Sequence, residues 1–342
     1  MVTTMKSRLL RDSYQDPLVK GEVEYAALTP EGVADDKPLP LILVLHGANS
    51  SRELLAMLQP IVEQLWADGS LPESLVACAS TPTIGGFYLD RPGDAWESLM
   101  ADGFPRFLAE RYAVDETRVA LLGASMGGYG VLKIAFAEPR RWLAVATVAP
   151  ALLPALTSTQ LRPRNTLDVL SHLAGEMTSE GGGFAANSVL HRLRSNAEAI
   201  RDSALPIFLR CGDRDVFALH DGTEQLHRAL WDLDVGHEYH LVQGGDHLGP
   251  EALAGPRAAL AFIGAAQRAA AGQDRSAADR QREAAWRDWA AGGREGAPPD
   301  LDPSAPSASV ALRVMLEPQV TEAARRDDSM SRRYGILPDL DG

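Results

Sequence analysis

With 342 residues, 45% hydrophobic and 23% charged, the chain is long enough for one large α/β domain or two ordinary ones and has the composition of a soluble globular protein. A formal net charge of -13 argues against general nucleic-acid binding, which needs clustered positive charge to neutralise phosphates. No window of about 18 uninterrupted apolar residues offers a membrane span, and residues 1–13 lack the apolar stretch and cleavage site of a secretory leader, so a cytoplasmic protein is expected.

The first predicted element is an edge strand over 20–28, where polar and apolar residues alternate until Thr29-Pro30-Glu31-Gly32 supplies turn chemistry. Leu41 to Leu45 is a continuous aliphatic run, the pattern of a central parallel strand covered on both faces, and it empties into His46, Gly47, Ala48 and Asn49. Residues 53–67 have helical periodicity, and 75–79 read as the next buried strand. Gly85-Gly86-Phe87-Tyr88 makes a glycine-aromatic loop suited to walling a pocket. A helix over 96–112 turns Leu99, Phe104, Phe107 and Leu108 inward, leaving Phe87, Tyr88 and Trp96 as pocket candidates.

Residues 118–122 form an apolar run of strand length, and 127–137 hold small and helix-forming residues up to the stop at Pro139. Between them, Gly123-Ala124-Ser125-Met126-Gly127 fits the G-x-S-x-G nucleophile elbow, in which a serine sits at a strained strand-to-helix corner. The pattern alone is common in a chain with 30 glycines; the strand before it and the helix after it give it weight.

A further strand is expected over 142–148. Residues 151–204 then break the rhythm with two early prolines, the run Gly181-Gly182-Gly183 and a helical piece over 189–200, which reads as a lid insertion. The triple glycine has no following Lys-Ser/Thr, so a phosphate loop is disfavoured. A strand over 206–211 runs into Gly212, Asp213 and Asp215. A helix over 223–232, a strand over 238–242, the loop carrying Asp246 and His247, and a helix over 250–270 complete a catalytic domain of residues 1–270. Residues 271–342 change character: a charged helix over 277–291, a Pro/Gly/Ser-rich linker over 292–309 and an Arg-containing terminus, expected to dock back or to support a homo-oligomer. Cys78 and Cys211 fall in predicted core strands, so two buried free thiols are expected. Abundant alanine, and basic residues that are nearly all arginine, suggest a GC-rich bacterial genome.

A serine hydroxyl is a poor nucleophile at neutral pH, so it needs an adjacent base, an acid to orient that base, and donors for the developing oxyanion. Ser125 is the expected nucleophile, His247 the base and Asp215 the acid, in the chain order Ser, Asp, His and each just past a strand. Asp213 remains the competing acid; Asp246, beside His247, would point away from it. The N–H groups of Met126 and Ala48 are the expected oxyanion donors, with Asn49 the neighbouring possibility and His46 propping the loop. His46, Asn49, Phe87, Tyr88 and Trp96 are the pocket candidates. His220, Asp213, Asp215, Asp246 and His247 have metal-binding atoms but no recognised ligand spacing, so neither metal nor cofactor is expected.

The stretch Asp115 to Ala135, with Ser125-Met126-Gly127-Gly128-Tyr129-Gly130 at its centre and Phe87-Tyr88 and Trp96 upstream, resembles the esterase D branch of the α/β-hydrolases. That branch includes S-formylglutathione hydrolases and the antigen 85 mycolyltransferases. The resemblance covers about residues 39–265. It implies an α/β-hydrolase fold, a mostly parallel sheet with helices on both faces, and gives the triad roles to Ser125, Asp215 and His247 and the oxyanion positions to Ala48 and Met126. The mycolyltransferases carry signal peptides, and the compact esterases lack a tail beyond 270. The expected activity is therefore cleavage of a small-molecule ester or thioester through an acyl-enzyme, with acyl transfer to an alcohol or amine as the alternative. A non-catalytic binding or assembly role on the same scaffold is the alternative of another class.

Overall fold

The computed structural model describes residues 5–34, 36–82, 86–166, 169–179, 182–272, 277–301 and parts of 308–318. Gly85, Gly181 and the Arg-containing terminus after residue 318 lie outside the described residues.

The described residues form ten strands: β1 (Ser7–Gln15), β2 (Glu22–Pro30), β3 (Leu39–Leu45), β4 (Leu75–Ala79), the short pair β5 (Asp90–Arg91) and β6 (Asp94–Ala95), β7 (Val114–Ala124), β8 (Ala144–Val148), β9 (Ile207–Gly212) and β10 (Glu238–Val242). All except β5 and β6 join one sheet in the order β1-β2-β4-β3-β7-β8-β9-β10. The β1–β2 and β2–β4 pairs are antiparallel; every pair from β4 onward is parallel.

Helices fill the crossovers. Helix α1 (Leu54–Ala67) follows β3; α2 (Trp96–Ser98), a π-helical turn over Leu99–Gly103 and α3 (Phe104–Arg111) precede β7; α4 (Met126–Ala137) follows it. Helices α5 (Val169–Ser179), α6 (Gly183–Asn187), α7 (Val189–Ser195) and α8 (Ala197–Ser203) occupy the long β8-to-β9 crossover, where a lid was expected. Helix α9 (Leu219–Asp232) links β9 to β10, α10 (Glu251–Ala270) follows β10, and α11 (Ala277–Ala291) lies beyond.

The aliphatic run of β3 explains the layering, because strand side chains alternate between faces. Leu41, Leu43 and Leu45 enter a core shared with Phe104, Leu108 and Leu226 on one face, while Ile42 and Val44 pack with Leu58, Val62 and Leu260 on the other. The mostly parallel sheet with helices on both faces agrees with expectation.

Three local departures have physical causes. Strand β1 was not expected: its residues are half-buried or exposed and carry charge, so no apolar alternation marks it, and its nine-residue register with β2 supplies the pairing instead. The predicted helix over 189–200 is two helices meeting at Asn196, whose non-helical backbone (φ -115°, ψ 17°) ends α7 and starts α8. The predicted helix over 96–112 contains the π-helical turn, which sequence periodicity does not reveal.

The chain divides into two compact units, Met1–Gln267 and Arg268–Gly342. In the second, Trp286 and Trp289 of α11 meet edge to face at 5.7 Å. Cys78 and Cys211 are buried and free. Among the described residues no helix is long and apolar enough to cross a membrane.

Candidate active site

Ser125 sits between the end of β7 and the first turn of α4, at φ 53° and ψ -119°, a backbone conformation that a non-glycine residue holds only when its surroundings force it. The forcing contacts are clear. Its N–H donates to Val148 O at 3.0 Å, and its carbonyl accepts from Tyr129 N–H at 3.1 Å and Ala151 N–H at 2.9 Å. The elbow can close only because a side chain is absent at Gly127, where a Cβ would lie 1.9 Å from Leu45 O. The serine is 8% exposed at the carboxyl end of the sheet, where open parallel sheets present their sites.

The acid and histidine loops leave the ends of β9 and β10 side by side. Asp213 N–H donates to Val242 O at 3.0 Å and Arg214 N–H to Gly245 O at 2.9 Å, which stitches the two loops together. His247 Nδ1 lies 2.8 Å from Asp215 Oδ2, and the Asp215 side chain is fully buried. The other carboxylate oxygen, Oδ1, accepts from Phe217 N–H at 2.9 Å, so both oxygens are occupied and the carboxylate is fixed. The Phe217 ring meets the imidazole edge to face at 5.0 Å.

The neighbouring aspartates have other partners. Asp213 Oδ1 accepts from Gly244 N–H at 2.7 Å, and Asp246 Oδ1 accepts from Val216 N–H at 3.0 Å and from His247 N–H at 2.6 Å. They shape the two loops while Asp215 alone meets the imidazole. Among the described residues no group of three or more His, Cys, Asp or Glu is arranged to hold a metal ion.

The loop after β3 borders the serine from the other side: a Cβ on Gly47 would stand 3.3 Å from Ser125 Cβ and 4.0 Å from its Oγ. Ala48 follows, half-buried, and then Asn49, exposed and left-handed at φ 55°, a conformation asparagine tolerates. Met126 is the first residue of α4, so its N–H belongs to the helix-start donors that have no intrahelical acceptor.

The remaining pocket candidates are placed inside the protein. His46 and Tyr88 are fully buried, Phe87 is 1% exposed and Trp96 is 4% exposed. His46 bonds to Gly47 O through Nδ1 and to Thr81 through Nε2, and burial pushes its pKa below the ordinary histidine value. Sequence reading missed the partner, Thr81, whose backbone N–H lies 2.9 Å and whose hydroxyl lies 3.2 Å from Nε2, because the two residues stand 35 positions apart. Trp96 Nε1 donates to Asp94 at 2.8 Å. Toward the segment between β8 and β9, Tyr129, Leu153, Met177 and Val189 line a cavity no larger than a water molecule, and Tyr129 donates its hydroxyl to Asn187 O at 2.7 Å.

The chain is similar to known proteins over this same region. The prolyl oligopeptidase family model matches residues 104–264, which include the elbow, the acid loop and the histidine loop. S-formylglutathione hydrolase of Bos taurus is 32% identical over 80 residues, 22% of this chain and 28% of that protein, so the match spans little more than a quarter of the relative. A ferulic acid esterase structure aligns at TM-score 0.64 and 18% identity, covering 77% of this chain and 99% of its own. An S-formylglutathione hydrolase from Agrobacterium tumefaciens aligns at 0.61 and 19%, covering 78% and 97%.

Near-complete coverage of such structures, together with the strand order, shows that the chain has the α/β-hydrolase fold. Within that fold the chain is similar to the prolyl oligopeptidase family model over residues 104–264 and to S-formylglutathione hydrolase over 80 residues.

Proposed function

We propose that the chain is a serine hydrolase that cleaves a carboxylic ester or thioester through an acyl-enzyme on Ser125. The observation that carries this reading is the 2.8 Å contact between His247 Nδ1 and a fully buried Asp215, in loops at the same sheet end as the strained Ser125. With Nδ1–H donated to Asp215, the lone pair sits on Nε2, the nitrogen that serves as base.

In the proposed reaction Ser125 Oγ attacks the substrate carbonyl carbon and its proton passes to His247 Nε2. The carbonyl oxygen becomes an oxyanion held by Met126 N–H and Ala48 N–H. Collapse breaks the bond to the alcohol or thiol, which leaves with the proton from His247. Water then repeats the sequence on the acyl-enzyme and releases the acid.

The relatives supply the first substrates to try: an S-formyl thioester of glutathione and ferulic acid esters. A fluorophosphonate probe should label the wild type and leave Ser125→Ala unlabelled; equal labelling of the two sinks the proposal. Hydrolysis rates across an acyl-chain series of aryl esters and thioesters then define the acyl group.

A further inference from the structure

The carbonyl of Gly47 and the N–H of Ala48 belong to one peptide unit, and in a trans peptide these two groups point in opposite directions. Whatever holds the carbonyl therefore aims the N–H. His46 Nδ1 lies 2.8 Å from Gly47 O. Its other nitrogen, Nε2, lies 2.9 Å from Thr81 N. A backbone N–H can only donate, so Nε2 must be the bare acceptor and Nδ1 must carry the proton of the neutral ring. The tautomer is thus dictated by Thr81, and the ring is a fixed donor to Gly47 O.

The preceding peptide is held as well. Tyr88 Oη–H donates to His46 O at 3.0 Å, from a fully buried ring. Tyr88 reaches that carbonyl from two consecutive left-handed residues, Phe87 at φ 36° and Tyr88 at φ 51°. Simple wall-building would not require such a conformation, which persists only when its surroundings over-determine it. Burial also disfavours the imidazolium, which could not accept from Thr81.

We propose that His46, supported by Thr81 and Tyr88, is the positioning residue of the oxyanion hole: its Nδ1–H grips the Gly47 carbonyl and so aims the Ala48 N–H at the developing oxyanion. The proposal rests on the assignment of Ser125 and Ala48 given under the proposed function. His46 touches no reacting atom and acts through the peptide it holds.

Two amide variants separate the ring's two nitrogens. In His46→Asn the side-chain amide overlays Nδ1 and keeps a donor for Gly47 O; in His46→Gln the amide overlays Nε2 and keeps only the Thr81 contact. On the best aryl ester, His46→Gln should lose on the order of 100-fold in kcat with KM unchanged, the effect of losing one oxyanion donor. Its affinity for a trifluoromethyl ketone, which needs the oxyanion donors, should fall in step. His46→Asn should retain most of the wild-type kcat.

Wild-type kcat in a folded His46→Gln, equal impairment of the two variants, or a rise in KM in place of the fall in kcat would overturn the proposal. If both variants are unfolded by circular dichroism, Tyr88→Phe decides: loss of one hydrogen bond should lower kcat about tenfold with KM unchanged, and an unaltered kcat overturns it. Failure of the underlying reading is separate, because it shows as a wild type that no fluorophosphonate labels at Ser125.

Discussion

At the scale of single residues, Asp215 and Gly127 carry the sharpest expectations. Asp215→Asn keeps the shape but places an amide against His247 Nδ1, which favours the wrong tautomer; kcat should fall about 10⁴-fold with little change in Tm. Comparable kcat in the two proteins would remove Asp215 from the proposed relay. Gly127→Ala acts on folding instead, since its Cβ would lie 1.9 Å from the Leu45 carbonyl. Main chain cannot step aside as a flexible side chain can, so a destabilisation of at least ~3 kcal/mol is expected in urea titrations, or no soluble protein. The elbow was legible in sequence because its geometry admits few residue types. The aspartate that meets His247 was less so: Asp213, Asp215 and Asp246 share a residue type and a pair of loops, and only the tertiary position of His247 separates them. The bracket around His46 was legible only as a loop prop, because its partners lie 35 and 42 residues away.

Among the elements, α4 is tied to α2 and α7 by a charge cluster around the buried Lys133. Glu97 takes Lys133 Nζ at 2.9 Å and pairs also with Arg192 of α7, which donates to the Lys133 carbonyl at 2.9 Å. Glu97→Gln leaves the fully buried Lys133 without its counter-charge and should cost about 3–5 kcal/mol by urea denaturation, as breaking one side of a buried pair does. Burial pushes the Lys133 ammonium down to about 8, against an ordinary value of 10.5. Between those values the unfolded chain binds more protons than the folded one, so the contribution of Lys133 to stability rises with pH. Stability relative to Lys133→Met should therefore grow from pH 8 to pH 10; a constant difference between the two proteins contradicts the assignment. Sequence reading found the long β8-to-β9 crossover as a break in the strand-helix rhythm. It could not find this cluster, since Glu97, Lys133 and Arg192 look like three surface charges until helices bring them together.

For the whole molecule, burial lowers the pKa of His46, His227 and His237 alike, and His227 Nδ1 meets His237 Nε2 at 2.7 Å, a contact that two charged rings could not keep. Below the ordinary histidine value the unfolded chain takes up more protons than the folded one, so these groups withdraw stability as pH falls through about 6.5. Tm should drop between pH 7.5 and pH 5.5, and less so in a His227→Asn variant; a flat profile contradicts this. Removing residues 271–342 is expected to alter oligomeric state or substrate access more than labelling of Ser125, and unchanged size in chromatography with unchanged kinetics would count against a role in assembly. The sheet was legible because parallel strands covered on both faces must be aliphatic throughout, as in β3 and β4; β1, paired on one side only and partly solvated, carries no such mark.

The backbone contacts of the elbow also set a timetable. Ser125 is held by Val148, Tyr129 and Ala151, all within the chain up to Ala151, whereas Asp215 and His247 arrive with the last two strands of the sheet. A ribosome that has delivered residues through Ala151 has released every partner the strained corner uses and neither member of the proposed proton relay. On the proposed mechanism, a chain arrested there would hold the serine without the base that activates it.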